Sequence, residues 1–133
     1  MNQTNFKNLT TYFEDNPAIV LAILFGSQTT SGHTKNSDYD FAILMNTKDE
    51  LGRLALKESI KKEIRLILNI RDEKIDIVDI STANLSISSS IVEEGKVLKG
   101  DGSLELSQFY LKTWALEEDF YWRLNNENRA LSS

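Results

Sequence analysis

There is no cysteine in this sequence. Disulfides and thiolate zinc sites are therefore excluded, whatever the fold. The single histidine, His33, rules out a His-rich metal site and leaves one candidate base for a Ser–His–Asp triad. With one proline and six glycines, the chain lacks the composition of a disordered polymer. Long apolar runs are missing too. The longest, Ala18 to Phe25, falls far short of the ~20 residues needed to span a bilayer. The polar stretch 1–16 holds no apolar signal-peptide core, so a cytoplasmic protein with no membrane partner is expected. Basic runs are also absent. The net charge is −5, and no Lys/Arg cluster forms the basic face of a domain that grips a nucleic-acid backbone. No nucleic-acid partner is expected. An acidic chain can still bind ATP where Mg²⁺ supplies the local positive charge.

What is present suits one soluble domain over residues 1–133, with 41% apolar and 26% charged residues. Phe6, Leu9 and Phe13 recur at helical spacing until Pro17, which predicts a helix over 4–15. Ala18–Phe25 (AIVLAILF) reads as a strand buried on both faces, and Gly26 ends it. The polar segment SQTTSGHTKNS reads as a loop. Tyr39–Met45 (YDFAILM) is a second strand. Thr47 and Glu50 match a T-x-x-E capping box. The helix it opens carries Leu56, Ile60, Ile64 and Ile67 as one apolar stripe, through about Leu68. Lys74–Ile80 (KIDIVDI) is a third strand. Asn84–Glu94 is a helix with Gly95 at C′, Val97–Lys99 a short edge strand, and Asp101-Gly102 a turn. Leu104 to about Asn128 is a long final helix. This order predicts an α/β fold, a small mixed sheet packed against helices, with a core of about 18–100 and a C-terminal helix of about 104–128.

Asp38 and Asp40 lie two apart at the mouth of the second strand, so alternation points both carboxylates the same way. Like charges so placed are costly unless a cation sits between them. Mg²⁺ is the natural neutraliser, because it takes oxygen ligands and keeps positions open for water and phosphate. A solvated turn explains a lone D-x-D equally well. Two further signals weigh against that. Gly26-Ser27 follows a buried strand directly, a join that presents backbone N–H groups to phosphate. Gly26 lets the backbone approach closely, and the Ser27 hydroxyl can donate to a terminal phosphate. A carboxylate also occurs inside the otherwise apolar third strand, where it is expensive unless paired or metal-bound. Asp76 and Asp79 compete for that place. They are three apart, so a regular strand turns them to opposite faces, and only one can join Asp38 and Asp40.

Gly26-Ser27, ten residues, then Asp38-Tyr39-Asp40 resembles the GS-x10-D-x-D signature of the DNA-polymerase-β-like nucleotidyltransferase superfamily. Ile75-Asp76-Ile77-Val78-Asp79 resembles the strand that carries that family's third carboxylate. Element order and length look most like the small MntA-type antitoxins, minimal nucleotidyltransferases paired with HepT-type toxins. The resemblance covers roughly residues 18–100. It implies a polymerase-β-like fold and two Mg²⁺ ions held by Asp38, Asp40 and Asp76, all three catalytic. Gly26 and Ser27 would hold the terminal phosphates of ATP. Asp76 is preferred over Asp79 because the family's carboxylate comes first in this strand. The implied function is an antitoxin of a type VII-like pair that transfers AMP to a hydroxyl, a tyrosine, of a HepT-like toxin bound in a hetero-oligomer. One departure stands out. Residues 28–32 contain no arginine where family members often carry one, so either His33, Lys35 or a partner supplies that charge, or nucleotide binding is weaker.

Three rivals are weighed. A small-molecule nucleotidyltransferase, such as one modifying an aminoglycoside, would share this core but would need more chain to bind its acceptor. A non-catalytic antitoxin acting by contact would not need every carboxylate. A glycosyltransferase-like D-x-D would need a larger nucleotide fold. In the final helix, Tyr110, Trp114 and Tyr121 share one face, and Phe109, Leu116 and Phe120 another. Internal packing of both faces is the leading expectation for them, and a partner surface the alternative.

Overall fold

The computed structural model describes residues 1–26 and 38–132, with side chains through residue 127. The chain runs through α1 (Gln3–Glu14), β1 (Ile19–Phe25), β2 (Tyr39–Met45), α2 (Glu50–Leu68), β3 (Ile75–Asp79), α3 (Leu85–Glu94), β4 (Lys96–Lys99) and α4 (Leu104–Ser132). The strands form one mixed sheet in the order β3-β2-β1-β4. β1 is antiparallel to β2 and β4, while β2 and β3 are parallel. Each expected helix and strand is present, with ends shifted by a few residues, and the expected loop over 27–37 lies outside the described residues. β3 is shorter than 74–80 because one-turn 3₁₀ segments, Asp72–Lys74 and Ile80–Thr82, bracket it.

Two terminal signals are corrected. The N-cap of α2 is Asp49, not Thr47. Its Oδ2 accepts from the Gly52 N–H at 3.1 Å. The ionised carboxylate satisfies an orphan donor and also meets the positive end of the helix dipole. Gly95 does not take the left-handed C′ conformation, since its φ is −69°. A side chain there is excluded for another reason: a Cβ would run into the Ile91 carbonyl and lie 2.6 Å from Ile23 Cγ2.

Alternation along the strands sorts the residues onto two faces. Phe41, Ile43 and Met45 of β2, with Ile75 and Ile77 of β3, meet Leu9 and Phe13 of α1 and Ile60, Ile64 and Leu68 of α2. Phe13 and Phe41 are fully buried, with ring centroids 6.1 Å apart. Each such side chain contributes about 1.5–3 kcal/mol of burial. On the other face, Leu21, Ile23 and Phe25 of β1 and Ala42 of β2 pack against Ile91 of α3 and Leu106 of α4. Asp38, Asp40 and Asp76 have the parity of this second face.

Among the described residues, α4 is anchored along its first half. Leu106 and Thr113 are buried, Phe109 and Tyr110 are half-buried, and Ser89 Oγ donates to Glu117 Oε1 at 2.7 Å from α3. By contrast, Trp114, Leu116, Phe120, Tyr121 and Trp122 are 45–66% exposed. The expectation that both aromatic faces pack internally is therefore overturned. The reason is length. At ~1.5 Å per residue a helix of 29 residues spans ~44 Å, whereas strands of 7 residues span ~23 Å. The sheet cannot cover it. Among the described residues, no helix is long and apolar enough to cross a membrane.

Candidate active site

Three strand ends meet at one edge of the sheet. β1 ends at Phe25 beside Asp40, its partner in the antiparallel register. In the parallel pair, Tyr39 lies beside Ile75 and Asp40 beside Asp76. Directly opposed residues share a face, so the register carries Asp76 alongside Asp40, while Asp38 stands two residues upstream of it. Gly26 closes the group. Its φ is +80°, a left-handed value that favours glycine. A Cβ on Gly26 would run into Asp40 Oδ2. The residue must therefore lack a side chain both for its turn and for its approach to the carboxylate.

The electrostatics follow from this crowding. Partial burial lifts the Asp40 carboxyl above its ordinary value, and the nearby charges of Asp76 and then Asp38 raise it further. Asp38 has a counter-charge, with Lys74 Nζ 3.9 Å from its Oδ1. Asp79 is elsewhere. Parity turns it toward α2, where Oδ2 meets Arg53 Nε at 3.4 Å. Its Oδ1 accepts from the Ser81 N–H at 3.0 Å and from Ser81 Oγ at 2.6 Å, capping the 3₁₀ turn. Asp79 is thus engaged in the local frame, and Asp76 is the β3 carboxylate grouped with Asp38 and Asp40.

Among the described residues, no three or more acidic or histidine side chains stand close enough together to hold a metal ion as they are placed. The set is open and made only of carboxylate oxygens. That chemistry fits Mg²⁺, which binds through one or two carboxylates and completes its shell with water and substrate phosphate. Ser27, His33 and Lys35 lie outside the described residues. Lys74 is the site residue that reading the sequence missed. The available signal was position: Lys74 immediately precedes β3, whose register sets Ile75 beside Tyr39, so it falls next to Asp38.

With that geometry in place, comparison with known proteins is informative. A family model described as polymerase beta, nucleotidyltransferase, matches residues 7–102. The chain belongs to this nucleotidyltransferase family. A protein adenylyltransferase MntA from Shewanella oneidensis is 30% identical, over 98% of this chain and 87% of that protein. Another MntA, from Aphanizomenon flos-aquae, is 30% identical over 70% of this chain and 65% of its own length. Among solved structures, a chain from a toxin–antitoxin complex with AMP-PNP superposes with a TM-score of 0.65 at 26% identity, covering 98% of this chain and 95% of that one. A chain from the complex of a tri-AMPylated Shewanella oneidensis HEPN toxin with its MNT antitoxin gives 0.63 at 26% identity, with coverage of 98% and 95%. The family match spans the whole sheet of this nucleotidyltransferase and ends before α4, while the superposed chain covers nearly all of it.

Proposed function

We propose that this nucleotidyltransferase is the antitoxin of a toxin–antitoxin pair, acting in the cytoplasm, and that it transfers AMP from ATP to a tyrosine hydroxyl of a HepT-like toxin. The observation that carries this reading is the grouping of Asp38, Asp40 and Asp76 on one sheet face beside Gly26. The adenylyltransferase relatives and the toxin-bound solved neighbours support a toxin as the acceptor.

Asp38, Asp40 and Asp76 would hold two Mg²⁺ ions, which when bound neutralise the triphosphate and acidify an attacking hydroxyl. The chain supplies position and proton transfer. The acceptor oxygen forms a bond to the α-phosphorus, and the bond from that phosphorus to the β-phosphate oxygen breaks. Pyrophosphate leaves with the electron pair, and the hydroxyl proton passes to the Asp76 carboxylate. Gly26 lets the backbone N–H groups approach the terminal phosphates, and the Ser27 hydroxyl donates to them. The exposed aromatic half of α4 supports a protein acceptor. Apolar surface of this kind marks interfaces, and aromatic anchors dominate their energetics.

The test is incubation of the chain with labelled ATP, Mg²⁺ and the product of the neighbouring toxin gene. The toxin should gain adenylyl mass, and Asp38→Ala with Asp40→Ala should abolish the gain. An unlabelled toxin, or labelling that survives the double variant, overturns the reading. Neutralisation that persists without labelling would identify an antitoxin that acts by contact.

A further inference from the structure

Four charged residues lie near one another at the end of the sheet that carries the carboxylates, with Lys74 in the 3₁₀ turn just before β3. β2 contributes Asp38 and Asp40, and the β3 segment contributes Lys74 and Asp76. The parallel register sets Asp40 against Asp76 and Tyr39 against Ile75. Continued by one residue, it sets Asp38 against Lys74, where the Nζ-to-Oδ1 distance is 3.9 Å. The neighbouring cations are engaged differently. Lys61 pairs with Asp72 at 3.3 Å, and Arg71 with Glu73 at 3.2 Å. Lys74 is thus the cation on the β3 side that faces the acidic group, and its backbone is fixed by an N–H bond to the Arg71 carbonyl at 3.1 Å.

We infer that Lys74 is a nucleotide-binding residue that exchanges partners during loading, leaving Asp38 for a phosphate of the bound nucleoside triphosphate. The inference rests on the carboxylate site being the nucleotide site. A divalent cation and an ammonium compete for the same Asp38 oxygen. When the divalent ion takes it, the two positive charges repel at close range. The nucleotide brings new negative charge to the same place. Lysine is suited to such an exchange, because its ammonium is a point charge on a flexible four-carbon stem and binds phosphate without demanding one geometry. In the resting protein Lys74 offsets part of the repulsion among the carboxylates. In the loaded protein it supplies a positive charge that residues 28–32 do not provide, since they contain no arginine or lysine.

This makes predictions of opposite sign for one substitution. In the full chain, Lys74→Met should bind Mn²⁺ alone severalfold more tightly, because a competing cation is gone. The same variant should bind Mn²⁺ with AMP-PNP about tenfold or more weakly, the scale of a charge-assisted hydrogen bond. Lys74→Arg should return nucleotide affinity to near the wild-type value. Isothermal titration reads both affinities, and thermal melting checks that the variants fold. If both affinities fall together, or nucleotide affinity is unchanged in Lys74→Met, Lys74 holds only the resting protein together and the inference is wrong. If the wild type binds neither probe, or Asp38→Ala binds both normally, the site assignment itself fails and this inference falls with it.

Discussion

The two faces of the sheet are filled differently. Toward α1 and α2, Phe41, Ile43, Ile75 and Ile77 meet helix side chains in a continuous apolar core. Toward α3 and α4, apolar packing is sparser, and the same strands carry Asp38, Asp40 and Asp76 at one end. β3 shows the contrast within a few residues. Asp79 has an arginine and a serine as partners on the α2 side. Asp76 stands among carboxylates on the other side. The closed face secures the fold, and it allows the open face to hold an arrangement of like charges that does not stabilise the resting protein.

Exchanging the β3 carboxylates tests that division most severely. Asp76→Asn should lower adenylyl transfer by about 10²–10⁴-fold, the range for loss of a general acid–base group. Asp79→Asn should leave transfer near wild type and weaken folding by about 1 kcal/mol through its ties to Arg53 and Ser81. Single-turnover labelling and urea denaturation separate the two effects. The opposite ranking would reassign the third carboxylate.

Next comes the closed face itself. Phe41→Ala removes a fully buried ring and should destabilise the protein by about 3–5 kcal/mol. Trp122, of comparable bulk but 66% exposed, should change stability by less than about 0.5 kcal/mol on truncation to alanine. Similar losses from both would mean that α4 is packed after all. A third prediction reverses that order in binding. Tyr121→Ala with Trp122→Ala should weaken capture of the toxin by about 30-fold, as expected for one hot spot of about 2 kcal/mol, while the isolated chain melts normally. Unchanged capture in a pull-down would move the interface off α4.

Much of this was legible in the sequence because strand parity is a strict rule. The apolar strands sufficed to propose a small sheet, and the spacing of Gly26 from Asp38 and Asp40, through the family signature it resembles, to propose the site. Parity also said that Asp76 and Asp79 face opposite ways, but not which one faces the D-x-D pair. That depends on the β2–β3 register and on Arg53, a helix residue far from Asp79 in the chain. Lys74 escaped notice for a similar reason, since its partner is across the sheet. Asp49 displaced Thr47 as the cap of α2 because the chain enters the helix two residues later than the T-x-x-E pattern implied. In α4, aromatic spacing described the faces correctly but not the extent of the support beneath them. Comparing helix and strand lengths was the argument that would have found the overhang.

The smallest predicted effect concerns the resting charge of the open face. Burial, then Asp76 and Asp38, hold the Asp40 carboxyl above the ordinary value of 3.8. An acid with a raised folded pKa binds protons more readily folded than unfolded. Its charge therefore destabilises the metal-free protein at neutral pH. That penalty fades as the pH falls through the raised pKa toward the unfolded value. Asp40→Asn should raise the melting midpoint of the metal-free protein slightly at neutral pH, and the gain should shrink toward about pH 4. Adding Mg²⁺ and AMP-PNP should invert the order, because the ligand stabilises only a chain that binds it. A metal-free variant that melts below the wild type at neutral pH would mean that Asp40 supports the fold. The two faces would then differ less in purpose than their residues suggest.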